Sequence, residues 1–172
     1  MYITTGDAHA SDTYSIGILK SIDGGVTWDS TGIQFPVPSN KMVNKLLIHP
    51  TYTDSLFAAT DERIMISPDG GQSWSVAQNS SGSNLIGRFR DIEFKPNNPN
   101  VLYAVKQTTG SSEVFKSTDR GLSWFSSSNG ISIVNRNRPL IAVTPANPDA
   151  VYVLFCKNDY SFHGLYLSLI HI

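Results

Sequence analysis

SPDGGQSW, Ser67 to Trp74, decides the fold, because the chain carries the same pattern three times. SIDGGVTW (Ser21 to Trp28) and STDRGLSW (Ser117 to Trp124) share with it Ser-x-Asp-x-Gly-x-Ser/Thr-Trp, and Asp23, Asp69 and Asp119 are separated by 46 and 50 residues. A second element keeps step. IHPTYTDSLFAAT (48–60), FKPNNPNVLYAVK (94–106) and VTPANPDAVYVLF (143–155) place Pro50, Pro96 and Pro145 at intervals of 46 and 49 residues. Self-similarity at such a period marks a repeat architecture, in which each unit buries its apolar face only against its neighbours.

Within one unit the apolar runs are short. Lys45–Ile48, Ser55–Thr60, Ile64–Ser67 and Ser73–Ala77 are bounded by Pro, Gly, Asn and Asp, as strands are, and no window offers a helical period beside a cap. Four strands, A to D, repeating at about 40–50 residues are the signature of propeller blades. The expected fold is therefore all-β: a partial β-propeller of four-stranded antiparallel blades, with the Asp motif in each C–D turn. The units run over 1–35 (partial), 36–78 and 79–127 (complete) and 128–172 (partial). Tyr2 aligns with Phe57, Tyr103 and Tyr152 in strand B, so the chain is expected to begin inside a blade.

The motif has a structural reason. Asp23, Asp69 and Asp119 can accept hydrogen bonds from backbone N–H groups of their own turns, with Ser21, Ser67 and Ser117 opening each turn. Gly25, Gly71 and Gly121 supply a positive φ that a Cβ resists, and Trp28, Trp74 and Trp124 are expected to fold back and fill the blade.

These motifs, together with PNNPNVLYAV (96–105) and PANPDAVYVL (145–154), resemble the Asp-box (bacterial neuraminidase) repeats of sortilin-like, photosystem-assembly-factor-like and glycosyl-hydrolase-like propellers. Residues 5–28 also look like the opening blades of large secreted Bacteroidetes-type proteins with a C-terminal sorting domain. The resemblance implies a secreted or cell-surface propeller that binds protein or polysaccharide. The alternative it implies is part of a glycoside hydrolase, xyloglucanase-like more than sialidase-like, since the Arg-Ile-Pro-like motif of sialidases is missing. Closed propellers take about four to eight blades. The remaining blades of a parent propeller are accordingly the expected partners, and the end of the chain, SLIHI (168–172), resembles adapter read-through in a metagenomic reading frame, so its last four residues are expected to be non-native.

Composition narrows the function. Lys and Arg number 13 against 14 Asp and Glu, which gives no basic footprint for nucleic acid. No run of about 20 apolar residues could cross a bilayer. Neither a Cys/His zinc spacing nor a phosphate loop is present, so no metal and no cofactor is expected, and the single Cys156 reads as a buried, inert thiol. A–B and C–D turns share one face of a propeller, which leaves binding to the B–C loops (Gly6–Ser15, Asp61–Arg63, Gln107–Ser112, Cys156–His163) and the D–A loops (about Gly32–Asn44, Gln78–Arg90 and Ser126–Arg138). Asp7, His9, Asp12 and Tyr14 in the long first loop are candidate binding residues, with Arg88, Arg90 and Arg138. Asp91 and Glu93, at i and i+2 of the innermost strand of unit three, are the candidate acid/base pair, although Lys45, Arg88 or Arg90 could simply neutralise them. His49, aligned with Lys95 and Thr144, is expected to be a solvated turn residue, and Arg136 and Arg138 read as surface residues sooner than carboxylate clamps.

Overall fold

The computed structural model describes residues 1–6, 15–36, 39–131 and 134–168. They form four sheets in chain order, antiparallel except for one added strand, with no α-helix among the described residues. Unit one holds β1 (Tyr2–Thr4), β2 (Ile18–Lys20) and β3 (Asp29–Ser30). Unit two holds β4 (Val43–Ile48), β5 (Leu56–Thr60), β6 (Ile64–Ser67) and β7 (Ser75–Val76), four strands in the order A to D. The connector that follows contributes β8 (Gln78–Asn79). Unit three holds β9 (Arg88–Lys95), β10 (Asn98–Gln107), β11 (Glu113–Ser117) and β12 (Ser123–Ser126), and unit four holds β13 (Asn137–Thr144), β14 (Asn147–Cys156) and β15 (Phe162–Ser168).

Register is the same in every unit. Tyr2 pairs with Lys20, Phe57 with Ile66, Tyr103 with Lys116 and Tyr152 with Leu167, so the strand-B aromatic meets the residue just before a Ser, which in units one to three opens the C–D turn and in unit four is Ser168. The sheet of unit three differs from a plain four-stranded blade. β8, in what reads as a D–A loop, pairs parallel with β12, Gln78 to Ser123 and Asn79 to Trp124, and adds a fifth strand that ties unit two to unit three. Arg88, Arg90 and Arg138 likewise lie on A strands rather than in the loops that precede them.

In units two and three strand B explains the packing, because both of its faces are buried and its residues alternate between neighbours. From β5, Ala58 joins Ile18, Ile33 and Val43 in the core between units one and two. Phe57 and Ala59 turn the other way, to Ile64, Leu85, Phe89, Leu102 and Trp124 between units two and three. From β10, Leu102 and Ala104 face back while Tyr103 and Val105 join Val114, Ile141, Val153 and Phe155 between units three and four. In β14 the alternation leaves one face open: Val151, Val153 and Phe155 are buried, whereas Tyr152, Leu154 and Cys156 are half-buried beside the exposed Leu140, Leu165 and Leu167. Cys156 is thus not a core thiol; its parity along the strand puts it on the open face.

Candidate functional site

The Asp boxes are closed hydrogen-bonded turns. Asp69 Oδ1 accepts from Ser73 N at 2.8 Å and from Ser67 Oγ at 2.9 Å, and Ser67 Oγ accepts from Gly71 N at 2.8 Å. Asp23 accepts from Val26 N and Thr27 N, and Asp119 from Ser123 N. Hydrogen bonds from the Ser73 side chain and backbone hold the Asp69 carboxyl at a pKa of about 2, and those from Thr27 hold Asp23 lower still. For Asp119 burial pushes upward, but the bonds from Ser123 and Ser117 outweigh it and the pKa is again lowered. The oxygens of these carboxylates are thus engaged inside their own turns.

The three tryptophans differ in depth. Each indole N–H donates to the carbonyl of its motif glycine, Gly25, Gly71 or Gly121. Trp124 is 1% exposed, while Trp28 and Trp74 are only half-buried. The cause is the preceding unit: a Cβ at Gly121 would stand 3.0 Å from the Phe57 ring and one at Gly71 3.0 Å from Thr31, whereas one at Gly25 would touch only Trp28. The motif tryptophan is buried to the extent that an earlier blade covers it.

The innermost strands β4, β9 and β13 lie side by side, and a charged cluster crosses them. Lys45 Nζ donates to Asp91 Oδ1 at 2.8 Å and to Glu93 Oε1 at 2.5 Å, so the two carboxylates do face the same way. Asp91 also accepts from Ile92 N at 3.0 Å and, through Oδ2, from Ile141 N at 3.1 Å, which makes it a link between units two, three and four. Burial pushes the Lys45 pKa down, yet its hydrogen bonds to the Asp91 and Glu93 carboxylates outweigh it and raise the pKa overall.

At the adjoining end every A strand bulges at the same place. The ladder skips Asn44 in β4, Arg90 in β9 and Arg138 with Pro139 in β13. Bulges re-aim side chains at the rims of sheets, and these gather cations from two units. Arg88 Nε donates to Asp61 Oδ1 at 2.8 Å, Asn44 Nδ2 donates to the same oxygen at 2.9 Å, and the Arg138 guanidinium stacks 4.5 Å from the Tyr160 ring centroid. Burial, then the neighbouring charges of Arg88 and Arg138, lower the Arg90 pKa, with Asp61 and Asp91 opposing. No sequence signal gives the bulges; they follow from strand pairing.

Two residues expected in solvent are buried. His49 is 2% exposed, its Nδ1 accepting from Thr51 N and Tyr52 N and its ring packed on Tyr52 and Phe94, so it caps the A–B turn; burial, then Arg120, lowers its pKa. Arg136 is 3% exposed, stacked 5.5 Å from the Phe155 ring centroid, because its backbone pairs with Gly110 and Ser112 and draws the side chain between units three and four. Asp7, His9, Asp12 and Tyr14 lie outside the described residues, as do the last four residues. No cluster of three or more His, Cys, Asp or Glu placed for a metal ion occurs among the described residues.

Repeated interblade cores with an Asp box in the C–D turns of units one to three define an Asp-box β-propeller architecture. The chain belongs to the Sortilin-Vps10 family, whose model, described as sortilin, neurotensin receptor 3, matches residues 16–164. No curated protein matches it. Among solved structures it is similar to an ancestral GH74 enzyme, with 22% identity and a TM-score of 0.67 over 97% of this chain and 22% of that one. It also aligns with the GH74 xyloglucanase from Xanthomonas campestris, at 12% identity and a TM-score of 0.39, over 98% of this chain and 34% of that one. The chain therefore spans less than a quarter of the first of these enzymes and about a third of the second.

Proposed function

We propose that these blades form part of an exported or cell-surface propeller that serves as a scaffold, binding protein or polysaccharide on the face where Arg88, Arg90 and Arg138 gather. The observation that carries this reading is the state of the carboxylates. An acid or base must be free to exchange a proton with substrate, and Asp91 already accepts from one ammonium and two backbone N–H groups, while Glu93 shares that ammonium. Glycosidase carboxylates flank a bond about 5–9.5 Å apart with sugar between them. Here Lys45 Nζ, within 2.8 Å of both carboxylates, stands between them. The open apolar face of unit four, with Leu140, Leu165 and Leu167, has the chemistry each earlier blade buries against the next, and a further blade is its natural cover.

The test compares two double variants in capture of ligands from peptide and polysaccharide arrays. Arg88→Ala with Arg138→Ala should abolish capture, and Asp91→Asn with Glu93→Gln should leave it within about threefold. The opposite pattern, with substrate cleavage lost on changing the carboxylates, would replace the scaffold by the hydrolase.

A further inference from the structure

Between units one and two lies an open groove of about 340 Å³ whose counterpart between units two and three is filled. Its walls include Trp74, Phe35, Met65, Thr60, Gln34 and Gln72. The register equates Thr60 with Lys106 and Met65 with Phe115. In unit three those residues fill the space: Lys106 lies 5.2 Å from the Phe115 ring centroid, Phe115 is 7% exposed and Trp124 is 1% exposed. Unit two has the smaller Thr60 and the unbranched Met65 instead, and Trp74 keeps one flank uncovered.

The lining specifies an occupant. Trp74 Nε1 is consumed by Thr31 O at 2.6 Å and Gly71 O at 3.2 Å, so the indole offers only its flat ring, a surface for apolar C–H groups. Gln34 and Gln72 each use one amide hydrogen internally, to Ser30 Oγ and Asp69 O, which orients the amides and leaves donor and acceptor capacity of the kind hydroxyls require. The one acidic side chain of the groove, Glu62, is neutralised by Lys41 at 2.6 Å and Arg63 at 3.7 Å. A volume near the lower end of small-molecule sites, about 300–1,000 Å³, admits one or two sugar rings rather than a folded partner.

We infer that this groove binds a neutral saccharide, one ring stacked on Trp74 with its hydroxyls on Gln34 and Gln72. The inference rests on the scaffold reading and adds to it a second subsite, lined by residues other than Arg88, Arg90 and Arg138.

The full chain is titrated with cello-, malto- and mannohexaose and, as a charged control, a galacturonate hexamer, by calorimetry and tryptophan fluorescence. At least one neutral hexasaccharide should bind. Met65→Phe, which installs the residue of unit three and leaves Trp74 in place, should weaken it at least about tenfold, as should Gln34→Ala with Gln72→Ala. An unchanged or raised melting temperature for Met65→Phe would show that the groove, not the fold, was lost. Absence of binding by all three neutral sugars, indifference to Met65→Phe in a folded protein, or tighter binding of the galacturonate would overturn the proposal. Ligand capture in the arginine variants tests the scaffold reading by itself, so the two can fail separately.

Discussion

Truncating the motif tryptophans one at a time measures how much of each is covered by the blade before it. Trp124 is 1% exposed, lies in the core with Phe57, Leu102 and Phe115, and donates to Gly121 O at 2.7 Å. A buried aromatic withdraws about 150–250 Å² from water, which at about 25 cal/mol per Å² is worth about 4–6 kcal/mol. The cavity left by large-to-small changes brings measured costs for Trp to about 3–5 kcal/mol, so Trp124→Ala should cost about 4 kcal/mol. Trp28 has the same motif and the same bond to Gly25 O, at 3.0 Å, but is half-buried, and a Cβ at Gly25 would meet only Trp28 among the described residues. Trp28→Ala should cost about 1–2 kcal/mol. Trp74, half-buried against Thr31 and Gly32, should fall between them. Urea unfolding followed by far-UV circular dichroism gives all three values. Equal costs for Trp28 and Trp124 would refute the argument, because they would make the tryptophan an internal brace of its own turn.

Further outcomes follow from the same geometry. The Asp69 and Asp23 carboxyls have lowered pKa values when folded, so protons favour the unfolded chain: the stability they supply is full above an ordinary aspartate pKa of 3.8 and drains as pH falls toward about 2, where Asp69 titrates. A stability curve flat from pH 5 to about pH 2 would contradict this. Gly121→Ala, at φ +78° with Phe57 carbons 3.0 and 3.1 Å from the new methyl, should destabilise by at least about 1 kcal/mol in the same denaturation assay. Arg120 holds φ +59° where the other boxes have Gly24 and Gly70, so Arg120→Gly should be neutral or stabilising by up to about 1 kcal/mol, and a clear loss would mean that its side chain carries an unrecognised contact. Lys45→Met leaves Asp91 and Glu93 without their cation and should cost about 1–2 kcal/mol, less than a fully buried pair because Lys45 is 31% exposed along its side chain.

Much of the fold was legible because repetition multiplies a weak signal. A single Ser-x-Asp-x-Gly-x-Ser-Trp is one turn, but three copies in step with the Pro-led B strands specify blades, their order and the register that Tyr2, Phe57, Tyr103 and Tyr152 share. The pairing of β8 with β12 was not legible, since Gln78 and Asn79 have no strand propensity and are recruited by an edge built 45 residues later. The bulges at Asn44, Arg90 and Arg138 were hidden for the same reason. His49 and Arg136 were misjudged because polarity argues for solvent until a backbone partner draws the side chain inward, as Thr51 N and Tyr52 N do for His49. Asp91 and Glu93 were recognised as a pair, and Lys45 as a possible counter-ion, from alternation and blade order alone; that Asp91 also receives Ile141 N from a third blade required the packed sheets.

Scaffold and hydrolase separate most sharply on what happens to a sugar once it is bound. Reducing-end release from neutral β-glucan oligosaccharides is followed for the chain and for the variant carrying Asp91→Asn and Glu93→Gln. Acid–base assistance contributes about 10²–10⁴-fold, so carboxylates that act on substrate would reveal themselves by a loss of that size. With Asp91 and Glu93 held by Lys45 and by backbone N–H groups, the two proteins should release sugar at the same rate as buffer. Turnover by the unaltered chain that disappears in the variant would contradict the scaffold and establish the pair as catalytic.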